Sequence, residues 1–84
     1  MTIKPKVCYY NGNEDMIVWR FGEDKHLEKD DIVILADSPY MLNEDLWKPH
    51  MYKRITKCTD MGYDEYQIEV EDIKIYKLKY YESI

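Results

Sequence analysis

The sequence predicts a small, mostly β barrel of five or six short strands, with one short helical turn near residues 39–47. Apolar residues alternate or run in short blocks and never sustain a helical period. Turn signals recur at roughly ten-residue spacing, the pattern of closed or partly closed barrels. Aromatic and β-branched residues recur along the whole chain, so its composition is that of a folded segment. A length of 84 residues reads as one domain, 1–84, and a chain of that size hides only about 60% of its unfolded surface.

Val7-Cys8-Tyr9-Tyr10 precedes Asn11-Gly12, a hairpin signal, and Met16-Ile17-Val18-Trp19-Arg20-Phe21 follows. A four-residue loop from Asn11 to Glu14 sets Val7 opposite Val18, Cys8 opposite Ile17 and Tyr9 opposite Met16, apolar against apolar. Residues 22–31 are polar except for Leu27 and read as a solvated loop. Ile32-Val33-Ile34-Leu35-Ala36 is a continuous apolar run of strand length, which predicts burial of both faces. Ser38-Pro39 then offers a cap and a first-turn proline. The helix expected there has about two turns, with Met41, Leu42, Leu46 and Trp47 on one face, and is over by Pro49.

Asp60-Met61-Gly62 turns the chain again, and Tyr66, Ile68 and Val70 alternate as in a half-buried strand. A three-residue turn with left-handed Gly62 pairs Lys57 with Glu65, Lys53 with Glu69 and Tyr52 with Val70. Beyond Glu71-Asp72 the apolar parity breaks, which predicts a tight corner at 71–73 and a last strand from Lys74 to Tyr80.

Two phrases in this order carry a resemblance. Leu27-Glu28-Lys29-Asp30-Asp31-Ile32-Val33-Ile34 is similar to the turn, acid and buried strand of SH3-like barrels, departing from them at Asp30, where glycine is usual. Val70-Glu71-Asp72-Ile73-Lys74-Ile75 resembles the short corner before their last strand. The resemblance implies an SH3-like barrel in preference to an OB-like one. It implies no function, since folds of this kind host many.

Chemistry narrows the function by elimination. Cys8, Cys58, His26 and His50 have the inventory of a structural zinc site but not its close ligand spacing. The acids fall in runs such as Glu14-Asp15 and Glu71-Asp72, and no Ser/His/Asp, Cys/His or Gly-rich phosphate phrase is present. No catalytic, cofactor or metal motif is therefore read, and the chain reads as a non-enzyme. Met1 to Lys6 has lysines with no apolar run behind them, and two cysteines are too few for a disulfide scaffold. A cytoplasmic protein with reduced thiols is the resulting expectation.

The remaining signal is nine tyrosines among seventeen carboxylates, with a net charge of −5. Tyrosine and tryptophan are enriched where proteins meet, and carboxylates select a basic partner. Residues 60–72 hold six acids and no base, so the turn at Asp60, Tyr63, Asp64, Glu65 and Tyr66 is one half of the expected partner surface. Tyr63 and Tyr66 are read as its exposed pair. The loop holding Tyr40, Glu44, Asp45 and Trp47 is the other half. Trp19, Phe21 and several tyrosines are expected to fill the barrel, with Leu46 and Trp47 capping one end.

The expected function is a protein-binding module, in one version a small acidic inhibitor of the kind frequent in phages and mobile elements. Such an inhibitor occupies a nucleic-acid-binding cleft with carboxylates in place of phosphates. A homo-oligomer would use the same tyrosines. The alternative is an SH3- or OB-like nucleic-acid-binding domain using Lys74, Lys77 and Lys79 with neighbouring tyrosines.

Overall fold

A computed structural model describes residues 4–12 and 14–73. Its strands are β1 (Lys6–Tyr10), β2 (Ile17–Arg20), β3 (Ile32–Ala36), β4 (Tyr52–Gly62) and β5 (Glu65–Asp72). They close into a five-stranded barrel in the order β1-β2-β5-β4-β3, with β1 pairing parallel to β3 and every other pair antiparallel. The small β-barrel expected from the sequence is thus the fold. No described helix is long and apolar enough to cross a membrane. The expected last strand, Lys74 to Tyr80, lies outside the described residues.

Alternation along each strand divides the side chains between interior and exterior. Cys8, Val18, Leu27, Val33, Ile55, Tyr66 and Ile68 form the interior cluster, with Tyr10, Met16, Leu35, Cys58 and Val70 packed against it. Leu27 holds the otherwise polar 22–31 loop against the barrel, and its carbonyl lies 3.6 Å from Cys58 Sγ. The run Ile32–Ala36 is covered on both faces as expected: Val33 faces the interior, while Ile34 and Ala36 are buried on the outside.

The outer cover comes from residues 39–51. The expected two-turn helix is instead three 3-10 turns, Pro39–Leu42, Glu44–Leu46 and Pro49–Met51. Asn43 interrupts the first two, its side chain accepting from the Asp45 N–H at 3.1 Å, a local bond that competes with helix continuation. Trp47 does not cap the barrel end. Its indole Nε1–H donates to the Met41 carbonyl at 2.6 Å, and its ring meets Tyr52 edge-on at 6.4 Å. Tyr52 stands opposite Ile34, so this excursion packs on the outside of β3. Leu46 is 44% exposed and caps nothing.

Both hairpin registers differ from expectation. β1 and β2 pair Cys8 with Arg20, Tyr9 with Trp19 and Tyr10 with Val18. The slip from the expected pairing is an odd number of residues, so every β2 side chain changes face. Trp19 and Phe21 are consequently half-buried on the outside and do not fill the barrel. Matching apolar blocks could not detect this, because Met16 to Phe21 is apolar at both parities except at Arg20. The structure settles the parity by burying Val18 against Tyr66 on β5.

β4 and β5 pair Lys57 with Glu69, Lys53 with Asp72, Arg54 with Glu71 and Ile55 with Val70, not Lys57 with Glu65, Lys53 with Glu69 or Tyr52 with Val70. The turn residues are Tyr63 and Asp64, at φ 54° and 62°. Two central residues with positive φ are the mark of a type I′ turn, whose twist matches that of the strands. Gly62 is left-handed as expected, at φ 84°, but it precedes the turn at a bulge. Of the corner expected at 71–73, Glu71 and Asp72 instead continue the strand, and the chain beyond Ile73 lies outside the described residues. β5 runs on through Asp72, its carboxylates held by Lys53 and Arg54.

Asp30, where the SH3-like phrase departs from glycine, sits at φ 75°. Aspartate is among the few side chains that tolerate this region. Its carboxylate also pairs with Arg54.

Candidate functional site

The two halves of the expected partner surface do not meet. One lies just before Tyr52 and the other just beyond Gly62, the opposite ends of an 11-residue strand. At about 3.3 Å per residue they are separated by roughly 30 Å along the chain path.

In the 39–51 excursion Tyr40 is 80% exposed, while Glu44 is held by Lys4 at 2.5 Å. Asp45 is exposed and Trp47 is committed to Met41 and Tyr52. At the hairpin tip Tyr63 is 97% exposed. Asp60 accepts the Gly62 N–H at 2.8 Å, and Asp64 projects from the turn. Glu65 is half-buried at the start of β5. Tyr66, expected beside Tyr63 at the surface, is 8% exposed and belongs to the core, because adjacent strand residues point to opposite faces.

The register brings other residues to the tip half. Tyr9 is opposite Trp19, and Trp19 is opposite Glu65, so the three form one outward row across β1, β2 and β5. Tyr9 meets Trp19 at 5.8 Å, tilted, and Phe21 at 6.2 Å, edge-on. Such arrangements stabilise aromatic pairs. Glu69 follows Glu65 on the same face of β5. The segment holding Glu14 and Asp15 lies beside them, where the Gln67 amide donates to the Asp15 carbonyl at 3.3 Å. Tyr9, Trp19, Glu14, Asp15 and Glu69 were absent from the sequence-derived surface. The signal was the shared parity of Ile17, Trp19 and Phe21, but it needs the register to acquire a direction.

Charge pairing sharpens this face. Four bases elsewhere are engaged by carboxylates: Lys6 with Asp31 at 2.8 Å, Arg20 with Asp24 at 3.0 Å, Lys53 with Asp72, and Arg54 with both Asp30 and Glu71. The His26 N–H and the Arg20 guanidinium hold the Asp24 carboxyl below its usual range. By contrast Glu14, Asp15, Asp60, Asp64, Glu65 and Glu69 enter no ion pair among the described residues. Lys53 and Arg54 on β4 are therefore paired with the far end of β5, while the carboxylates at the tip and along β5 as far as Glu69 have no ion pair among the described residues.

Neither thiol is poised as a nucleophile. Burial pushes Cys8 up from 9.0 to about 12, and desolvation also raises Cys58. Among the described residues no three His, Cys, Asp or Glu side chains converge as metal ligands. No family model, curated protein or solved structure matches this chain.

Proposed function

We propose that this chain is a non-enzymatic protein-binding module whose acidic, aromatic face engages a basic surface on another protein. The Tyr9–Trp19–Glu65 row carries the reading: packed aromatic area beside carboxylates that enter no ion pair among the described residues. Interface hot spots are enriched in tryptophan and tyrosine, and complementary charge sets partner choice and on-rate. A small inhibitor that covers a nucleic-acid-binding cleft is one concrete form of this activity. The exposed Tyr63 and Asp64 extend the face at the hairpin tip.

The test uses Trp19 as reporter. A Trp47→Phe variant leaves Trp19 as the sole indole, and it is titrated with a lysine- and arginine-rich peptide or with a single-stranded oligonucleotide. The peptide should change Trp19 emission saturably, more weakly as salt rises. Glu65→Lys should weaken the response further than Glu23→Lys, a charge reversal in the loop that follows β2 and outside the Tyr9–Trp19–Glu65 row. Unchanged Trp19 emission with peptide, together with tight oligonucleotide binding, would support the nucleic-acid reading through Lys74, Lys77 and Lys79, which lie outside the described residues.

A further inference from the structure

β2 covers β5 only part of the way. Ile17, Val18 and Trp19 pair with Gln67, Tyr66 and Glu65, and the Ile68 N–H donates to the Met16 carbonyl at 3.1 Å. β5 then continues to Asp72, and among the described residues no strand pairs with Glu69–Asp72 on the side away from β4.

The backbone at Val70 points to that side, which no described strand occupies. Its opposite residue, Ile55, uses both main-chain groups elsewhere: the Ile55 N–H donates to the Asp31 carbonyl at 2.9 Å, and the Ile55 carbonyl accepts from the Asp30 N–H at 2.8 Å. Ile55 and Val70 are thus a non-hydrogen-bonded pair, and the Val70 N–H and C=O project away from β4.

A cleft of about 530 Å³ lies at this place, between β5 and residues 14–16. Met16, Ile68 and Val70 give it apolar lining, while Glu14, Asp15 and Glu69 set three carboxylates against the single base Lys57. Its size is that of a ligand site. Its charge calls for a cation, and its apolar lining suits the alkyl stem that carries one.

We propose that this cleft seats an extended, lysine- or arginine-bearing segment of a partner protein, added as a strand along β5 through Val70. The basic head group sits among Glu14, Asp15 and Glu69, and its stem lies on the half-buried Met16 and Val70. Strand addition supplies affinity through the main chain, and the pocket beside it supplies side-chain selection. This rests on the basic-partner function above and locates where one partner residue is read.

The test titrates the full chain with an extended lysine-containing peptide and with its norleucine counterpart, followed by amide NMR shifts and by affinity. The lysine peptide should shift Ile68 through Asp72 and bind about tenfold more tightly than the norleucine peptide, the scale of two or three partly exposed charge contacts. Glu14→Gln combined with Glu69→Gln should remove most of that preference. Both side chains are exposed, and an unchanged spectrum elsewhere verifies the fold. Binding that shifts only Trp19 and Glu65, unaffected by the double variant, overturns the cleft and leaves the basic-partner function standing. Equal binding of both peptides overturns the charge selection. Cleft shifts that grow with protein concentration in the absence of peptide assign the edge to a second copy and overturn the proposal. No binding of either peptide sinks the cleft and the broader function together.

Discussion

Trp19 stands opposite Glu65 across the β2–β5 ladder, and both face outward. The indole is braced from the other side by Tyr9 at 5.8 Å. Stability and recognition should separate at this pair. Trp19→Ala loses an aromatic contact and should lower unfolding free energy by about 1 kcal/mol. Glu65→Gln should change it by less than about 0.5 kcal/mol, since Glu65 has no ion pair to lose among the described residues. Denaturant unfolding of both variants checks the stabilities, and titration with a basic peptide should show weaker binding for each.

Cys8 fixes an alkaline limit. Its folded-state pKa, about 12, lies above the ordinary thiol value of 9.0, so ionisation is favoured in the unfolded chain. The stability contributed by the neutral buried thiol is complete below about pH 9 and is lost progressively as pH rises toward 12. The slope for this one group is about 1.4 kcal/mol per pH unit across that window. Cys8→Ala should flatten this part of the stability curve, although it lowers stability at pH 7 by leaving space in the core. Native Cys8 should resist alkylation at pH 8, while unfolded Cys8 reacts readily; mass mapping of the labelled site distinguishes them.

At Asp30 the backbone and the ion pair pull in opposite directions. Asp30→Gly relieves a left-handed conformation but loses the contact to Arg54, two terms of about 1 kcal/mol or less that should nearly cancel. Asp30→Ala loses the ion pair and keeps the strain, so it should be the less stable variant by about 1 kcal/mol. Thermal unfolding at low and high salt resolves the two terms, because only the ion pair is screened.

The hairpin tip is conformationally suboptimal. Tyr63 and Asp64 occupy positions where Asn-Gly is preferred. Replacing both with Asn-Gly should stabilise the hairpin by about 0.5–1 kcal/mol. If the tip contributes to partner binding, the same variant should bind a basic peptide less well while melting at higher temperature. A gain in both properties would remove Tyr63 and Asp64 from the recognition surface.

How much was legible follows from the range of each interaction. Strand identity is local, and Ile32 to Ala36 or Tyr66-Ile68-Val70 could be recognised from their own pattern. The left-handed Gly62 was legible too, but it could not say which two residues follow it as the turn. Register was not legible, because Met16 to Phe21 is apolar at nearly every position and several pairings match equally well. The surface inherits that ambiguity: local pattern alone puts Tyr66 outside and Trp19 inside, and the register exchanges them.

The sequence by itself determined a short-stranded β-barrel, a net negative charge and an excess of tyrosine, since these depend on composition and on neighbours in the chain. The tertiary structure decided which carboxylates remain unpaired and which aromatics face outward. Those properties depend on strand pairing and on the direction of each pleat, and in a two-residue period a one-residue slip exchanges the inside for the outside. The proposed partner surface is therefore one row, Tyr9, Trp19 and Glu65, in place of a tyrosine-rich loop and turn, beside a stretch of β5 that no strand among the described residues pairs on its far side.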